Sequence, residues 1–159
     1  MATKRRPKRP AKRPRRPAKR AAPRRPKRRR PETARARMLS ASLTVDALTR
    51  SIAWYEGVLG FTVTDRWEAD GVLNGVELAA GDTRLTLNQD DWAKGRDRVK
   101  GQGVRFYFTT VQNIDKLAAD ITARGGVLDY APRTMPWGSR LFAITDPDGF
   151  KISFVQRKP

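Results

Sequence analysis

The chemistry open to this chain is bounded by two residue types that it lacks. Its 159 residues include no His and no Cys. Imidazole is the usual metal ligand and general base near neutral pH, and a thiolate is the usual soft ligand and nucleophile. The sequence therefore excludes imidazole ligation, imidazole base catalysis, thiolate chemistry and disulfides. The lack of Cys also fits a reducing compartment.

Polar side chains recur at every second position in four stretches, residues 39–45, 83–88, 104–109 and 150–156. A period of two is typical of strands with one buried face and one polar face. We expect the polar faces to line a cup through Ser40, Ser42, Thr44, Arg84, Thr86, Asn88, Arg105, Tyr107, Thr109, Lys151, Ser153 and Val155. Trp92 and Trp137 are expected at its rim. Because three lining residues are basic and none is acidic, the cup favours an anionic or planar ligand over a cation.

These residues also have a purely structural interpretation. Arg84 and Lys151 can extend their charged ends into water from the ends of strands, and Trp137 can be a core aromatic. Both interpretations stay open for each single residue at this point.

Two helices are predicted between the strands. The first carries one apolar stripe at spacings of four, three and four, formed by Leu48, Ile52, Tyr55 and Leu59. Asp46 is expected to cap this helix, and Gly60 is expected to end it. The second helix begins at about Asn113 and stops at residues 124–126, Arg-Gly-Gly.

Two turns and the remaining strands complete a repeated pattern. Residues 146–149, Asp-Pro-Asp-Gly, have the composition of a tight turn between antiparallel strands, and residues 80–82 form a hairpin signal. With further strands near residues 62–67, 73–79, 127–130 and 139–145, the order β-α-β-β-β occurs twice. The modules span about residues 39–92 and 103–156, and residues 90–102 form a linker that could act as a flap.

Residues 1–37 differ from the rest of the chain in charge and composition. They hold 19 of the 34 Lys and Arg residues, one acid, seven of the 11 prolines and no aromatic residue. The formal net charge of +18 therefore lies in this segment, and residues 38–159 are neutral. Such a composition cannot bury enough apolar surface to offset the entropy of ordering, so a disordered tail is predicted.

The tail resembles the basic tails of histone-H1-like and nucleoid-associated proteins. Its basic clusters predict sequence-independent contacts to the phosphates of DNA or RNA through Lys4, Arg5, Arg6, Lys12, Arg13, Arg28, Arg29 and Arg30. A solvated extension without a partner is the alternative. No apolar run approaches the length of a membrane span or signal-peptide core, so we expect a cytoplasmic, nucleoid-associated protein and no membrane partner.

Two motifs carry a family resemblance. They are Trp54-Tyr55-x-x-Val58-Leu59-Gly60-Phe61, and Trp137-Gly138-x-Arg140 running into Asp146-Pro147-Asp148-Gly149. In this order and spacing they resemble the vicinal oxygen chelate superfamily of glyoxalases, bleomycin-resistance proteins and extradiol dioxygenases, over about residues 39–156. The resemblance implies an α+β fold in which two βαβββ modules form an incomplete barrel around a cup. It also implies a homodimer, because related proteins commonly pair or swap modules.

The resemblance also implies where a metal would be held. In metal-dependent members the ligands lie on the cup face of the first and last strand of each module, and these places fall here on Ser40, Thr86, Arg105 and Ser153. Hydroxyls are weak ligands for a divalent ion, and a guanidinium repels it. We therefore expect a variant without a metal or other cofactor, rather than a metal-dependent lyase or dioxygenase.

Three functions stay open at this point. The first is a small-molecule-binding protein with a nucleic-acid-binding tail, whose ligand contacts are Ser40, Ser42, Arg84, Thr86, Asn88, Trp92, Arg105, Tyr107, Trp137, Arg140 and Ser153. The second is a metal-independent enzyme in which Tyr107 or a carboxylate carried by the linker is the acid or base. The third is a nucleoid-associated protein that uses the domain as a dimeric scaffold.

Overall fold

Each predicted module folds as β-α-β-β-β within residues 38–157, the part of the chain that the computed structural model describes. The strands of the first module are β1 (Ala41–Val45), β2 (Thr62–Ala69), β3 (Val72–Ala80) and β4 (Thr83–Gln89). Those of the second are β5 (Arg105–Thr110), β6 (Leu128–Thr134), β7 (Arg140–Thr145) and β8 (Lys151–Gln156). The helices are α1 (Leu48–Trp54), extended by a π-helical turn at Tyr55–Leu59, and α2 (Ile114–Ala123). Neither helix is long and apolar enough to cross a membrane.

The strands form two separate four-stranded sheets with the same topology. Their orders are β1-β4-β3-β2 and β5-β8-β7-β6. In each sheet the first strand of the module lies parallel to the last, and the other neighbours are antiparallel. The predicted fold class, α+β with two βαβββ modules and unclosed sheets, is confirmed.

The two modules share one hydrophobic core. The apolar stripe of α1 is buried as predicted, and α2 contributes Ile114, Ala118 and Ile121 to the same cluster. The rings of Phe61 and Phe108, one from each module, meet edge to face with their centroids 5.4 Å apart. Burying a side chain of this size contributes about 1.5–3 kcal/mol. Because one face of each sheet packs into this common core, the polar face of each sheet points away from it.

The N-terminal end of α1 is tied to the second module through Asp148. The carboxylate of Asp148, in the turn before β8, accepts hydrogen bonds from the amide of Asp46 (2.8 Å) and the hydroxyl of Ser51 (2.8 Å). The side chain of Asp46 instead binds the ammonium of Lys100. The prediction that Asp46 caps α1 is therefore wrong: the first amide of the helix, that of Leu48, donates instead to the side-chain oxygen of Gln89 on β4 (3.0 Å).

The two sequence motifs are hydrogen-bonded to each other. The phenol of Tyr55 donates to one carboxylate oxygen of Asp146 (2.9 Å), and the other oxygen accepts from the amides of Asp148 (3.0 Å) and Phe150 (2.7 Å). Burial raises the pKa of Tyr55 well above its usual value, and the negative charge of Asp146 raises it further. Burial also raises the pKa of Asp146, while these hydrogen bonds oppose the shift.

The linker between the modules is anchored at both ends. At its start, the buried carboxylate of Asp90 binds Lys100 (2.8 Å) and Arg98 (2.9 Å). At its end, a Cβ placed on Gly101 would lie 2.3 Å from the carbonyl oxygen of Gly149. The linker therefore packs directly on the turn that begins β8.

Candidate functional site

The polar face of the first sheet brings together three of the predicted ligand contacts. Ser42 on β1 lies opposite Thr86 on β4, and the amide nitrogen of Asn88 donates to the hydroxyl of Ser42 (2.7 Å). Ser40 lies just before β1 and is exposed. Residues opposite one another in register share a face, so these hydroxyls and the amide form one hydrogen-bonding surface.

The same face carries an acid that we did not predict there. Glu77 on β3 lies opposite Thr86, and its carboxylate is 3.6 Å from the guanidinium of Arg84. Arg84 also donates to the carbonyl of Gly81 (2.9 Å). The expectation of a face without acids is therefore wrong. Glu77 could have been found from the sequence, because it alternates with the buried residues Val76 and Leu78.

A tryptophan on this face was also missed. Trp67 on β2 lies opposite Gly75 on β3, and a Cβ on Gly75 would lie 2.3 Å from the indole. The indole therefore lies flat against the glycine, and 37% of Trp67 stays exposed. An exposed indole beside hydroxyl groups can stack on a planar ligand.

The polar face of the second sheet is organised by a guanidinium. Arg105 on β5 donates to the hydroxyl of Ser153 on β8 (3.0 Å). Tyr107 lies opposite Ser153 and is 63% exposed. Ser153 itself is fully buried, as are Leu141 and Ala143 beside it on β7. The face is thus polar only in part, because apolar side chains of β7 occupy its centre.

One end of this face carries a chain of hydrogen bonds. The hydroxyl of Thr145 donates to the carboxylate of Asp129 (2.8 Å), and the ammonium of Lys151 donates to the same hydroxyl (2.8 Å). The distance between Lys151 and Asp129 is 4.0 Å. The structural interpretation of Lys151 was that its charged end extends into water. The structure instead shows its ammonium in contact with Thr145 and near Asp129 on the sheet.

The predicted rim aromatics occupy different surroundings. Trp92 lies in the linker, where the guanidinium of Arg96 and the ammonium of Lys100 are 4.7 and 4.9 Å from its ring centroid. Cations therefore occupy positions from which a ligand could stack on that ring. Trp137 lies in the turn between β6 and β7 and is 67% exposed, so it is not a core aromatic.

Arg140 is separated from the rest of the predicted site. Its guanidinium forms two hydrogen bonds to the carboxylate of Asp115 on α2 (2.9 and 2.5 Å). Along β7 it alternates with Leu141, so it lies on the helix side of the sheet rather than beside Arg105 and Ser153. The bond to Arg140 holds the pKa of Asp115 below its usual range.

The two polar faces are distinct surfaces of one chain. Their polar contacts, from Asn88 to Ser42 and from Arg105 to Ser153, each stay within one sheet. The predicted nucleic-acid contacts from Lys4 to Arg30 lie outside the described residues. As ligand contacts, the residues of both faces stay predictions.

The residues at the four places of a superfamily metal site do not fit a metal. The residues at two of the places, Arg105 and Ser153, are hydrogen-bonded to each other, and Thr86 offers only a hydroxyl. Within residues 38–157, no group of three or more acidic side chains is arranged to hold an ion. The fixed positive charge of Arg105 disfavours a cation at this place.

The fold and these surfaces define the class of protein. The family model described as the Glyoxalase/Bleomycin resistance protein/Dioxygenase superfamily matches residues 37–154. The chain therefore belongs to this superfamily. No curated protein matches the chain.

Solved structures show the same fold. A superfamily member from Sphaerobacter thermophilus DSM 20745 is 26% identical with a TM-score of 0.63, and the match covers 77% of this chain and 98% of that one. TioX from Micromonospora sp. ML1 is 19% identical with a TM-score of 0.63, covering 76% and 98%. A lactoylglutathione lyase from Agrobacterium tumefaciens is 21% identical with a TM-score of 0.58, covering 77% and 95%. At the identities of the last two, the likeness is one of fold alone.

Proposed function

We propose that this protein is a metal-independent small-molecule-binding member of its superfamily. The observation that carries the proposal is the hydrogen bond from Arg105 to Ser153 (3.0 Å), which joins two of the four places of a metal site. A guanidinium supplies fixed N–H donors and a permanent positive charge where a metal-dependent member needs ligands with lone pairs. Arg105 thus favours an anionic group of a ligand and disfavours a metal ion.

The relative named lactoylglutathione lyase raises a metal-dependent lyase as the competing candidate. That activity fits poorly with this chain because a guanidinium and hydroxyls stand at the ligand places and the chain contains no His. The exposed surfaces instead offer Ser42, Thr86 and Asn88 as hydrogen-bonding groups and Trp67 as a stacking surface. These groups suit a planar or anionic ligand.

The proposal includes a homodimer and a nucleic-acid-binding tail. Because each polar face points away from the shared core, a second copy can place its second sheet opposite the first sheet of this chain and enclose a ligand between them. Tyr107, exposed at 63%, lies on the surface that such a partner would cover. The tail proposal is supported by the charge of residues 1–37, which equals the net charge of the whole chain.

Two measurements on the purified full-length protein test the binding proposal. Elemental analysis after purification without chelator should give well under one equivalent of Zn, Ni, Fe or Mn. A small-molecule screen should then find compounds that raise the melting temperature, since a ligand that binds only the folded state stabilises it by mass action. Arg105→Gln should abolish the stabilisation, whereas Arg66→Gln, which removes an exposed charge from β2, should retain it.

Stoichiometric metal that restores activity or stability on re-addition would overturn the proposal. So would a ligand whose stabilisation is equal in the two variants, because it would then bind elsewhere.

A further inference from the structure

A depression lies at the end of the second sheet where the linker meets the turn before β8. Its volume is about 490 Å³, and its lining consists of residues 99–104 of the linker region, Arg105, Gly149 and Lys151. It therefore borders the polar face that carries Arg105 and Ser153, and none of the predicted ligand contacts except Arg105 lines it.

The charged side chains that line the depression are all basic. They are Lys100, Arg105 and Lys151. Lys100 is neutralised by Asp46 and Asp90, and Lys151 lies 4.0 Å from Asp129. Arg105 is exposed, its hydrogen-bond partner is the neutral hydroxyl of Ser153, and no carboxylate of residues 38–157 forms an ion pair with it. The depression thus contains a cation without a matching anion.

Three glycines contribute main chain to the lining of the depression beside Arg105. Gly101, Gly103 and Gly149 all have positive φ, at 70°, 72° and 94°. A Cβ on Gly103 would meet no atom within 4 Å, so this residue faces open space. A glycine that faces open space lets a ligand approach the main chain closely, where amide groups can add to a cationic site.

We infer that this depression is an oxyanion subsite, which takes a carboxylate or phosphate group of the small-molecule ligand. Arg105 has five N–H groups in a planar fork and uses one nitrogen for Ser153, so its other donors can bind an anion. Ser153 positions the guanidinium, and Lys151, whose charge Asp129 compensates only in part at 4.0 Å, adds a weaker attraction. The inference rests on the proposed function, because it assigns the charged end of that ligand.

The test is an amide-resolved NMR titration of the full-length, 15N-labelled protein. Sodium acetate, sodium phosphate and the neutral isostere acetamide are added separately at an ionic strength held constant with NaCl. Amides of residues 101–105 should shift and saturate with acetate or phosphate and should not respond to acetamide. The stronger of the two anions identifies the ligand group. Since the readout is specific to residues, anions held by the basic tail do not interfere.

Variants show whether Arg105 carries the effect. Arg105→Gln should lower the affinity for the more tightly bound anion by about tenfold or more, the loss expected for one charged hydrogen-bonding partner. Lys151→Gln should weaken it severalfold, and Arg66→Gln, the matched loss of a distant charge, by less than about twofold. If Arg105→Gln does not fold, Arg105→Lys and Lys151→Gln decide, with weakening expected in both.

Three results would overturn the subsite: no saturable shift at residues 101–105, an equal response to acetamide, or equal weakening in Arg66→Gln. None of these results would contradict the proposed function, because a small molecule found by thermal stabilisation could still bind on the polar faces. Conversely, stoichiometric metal would overturn the proposed function even if an anion bound at Arg105. The two failures are therefore distinguishable.

Discussion

At the scale of single residues, the bond between Tyr55 and Asp146 joins the modules. Tyr55 is fully buried, and its hydroxyl is one of three donors to the Asp146 carboxylate. Tyr55→Phe should lower the free energy of unfolding by about 1–3 kcal/mol, because a buried carboxylate loses a donor. Urea denaturation measures this. Tyr107→Phe, at an exposed site, should change it by less than about 0.5 kcal/mol; equal effects would contradict the assigned role.

The raised pKa of Tyr55 gives a prediction for alkaline pH. The unfolded chain loses the phenolic proton near pH 10, whereas the folded chain retains it. Stability from this group is therefore fully present below about pH 10 and is lost as pH rises above that value. Absorbance at 295 nm should show one tyrosine that ionises only together with the loss of circular dichroism. That step should be missing from Tyr55→Phe; ionisation of Tyr55 before unfolding would refute the prediction.

At the scale of elements, Asp148 links the turn before β8 to α1. Its side chain is fully buried and accepts from the Asp46 amide and the Ser51 hydroxyl. Asp148→Ala should destabilise the domain by about 2–4 kcal/mol, since the Asp46 amide and the buried Ser51 hydroxyl each lose an acceptor and Arg50 loses its ion-pair partner. Asp120→Ala, which removes an exposed helical pair with Lys116, should cost less than about 0.5 kcal/mol. Thermal and urea unfolding measure both variants. Similar losses of stability in Asp148→Ala and Asp120→Ala would contradict the role assigned to Asp148.

The linker offers a second test at this scale. Gly101 and Gly95 both have positive φ, at 70° and 86°, but only Gly101 lies against a backbone carbonyl. Alanine at either position incurs the cost of the left-handed conformation, and alanine at Gly101 must also displace Gly149. Gly101→Ala should therefore be less stable than Gly95→Ala by about 1–3 kcal/mol in urea denaturation. Equal stabilities would mean that the linker does not pack on the turn.

At the scale of the whole molecule, the net charge is confined to one part of the chain. Residues 1–37 carry +18, and the remainder is neutral. Deleting residues 1–37 should abolish retardation of DNA in gel shifts and remove its steep salt dependence, because counterion release scales with the number of phosphate contacts. The melting temperature of residues 38–159 should be almost unchanged. DNA retardation by the truncated protein would show that the domain itself binds nucleic acid.

The sequence predicted the elements because their signals are local. The stripe of α1 and the alternation of buried Leu85 and Leu87 with polar neighbours follow from the helix and strand periods alone. α2 begins next to Asn113 as expected, and the side chain of Asn113 accepts from the amide of Lys116 (2.9 Å). Pairing over long distances left no such signal: nothing local to α1 shows that Gln89 on β4 accepts from its first amide, or that Asp148, about a hundred residues later, accepts from the amide of Asp46.

The candidate site was likewise determined in part by the sequence and in part by the tertiary structure. The sequence and its family resemblance determined that Ser40, Thr86, Arg105 and Ser153 offer hydroxyls and a guanidinium where relatives use metal ligands, and that the chain has no imidazole. The tertiary structure alone decided that Arg105 binds Ser153, that Glu77 accompanies Arg84, and that Arg140 faces α2. The physical reason is that a period of two fixes which face a side chain occupies, whereas its partner is fixed only when strands from distant parts of the chain pair.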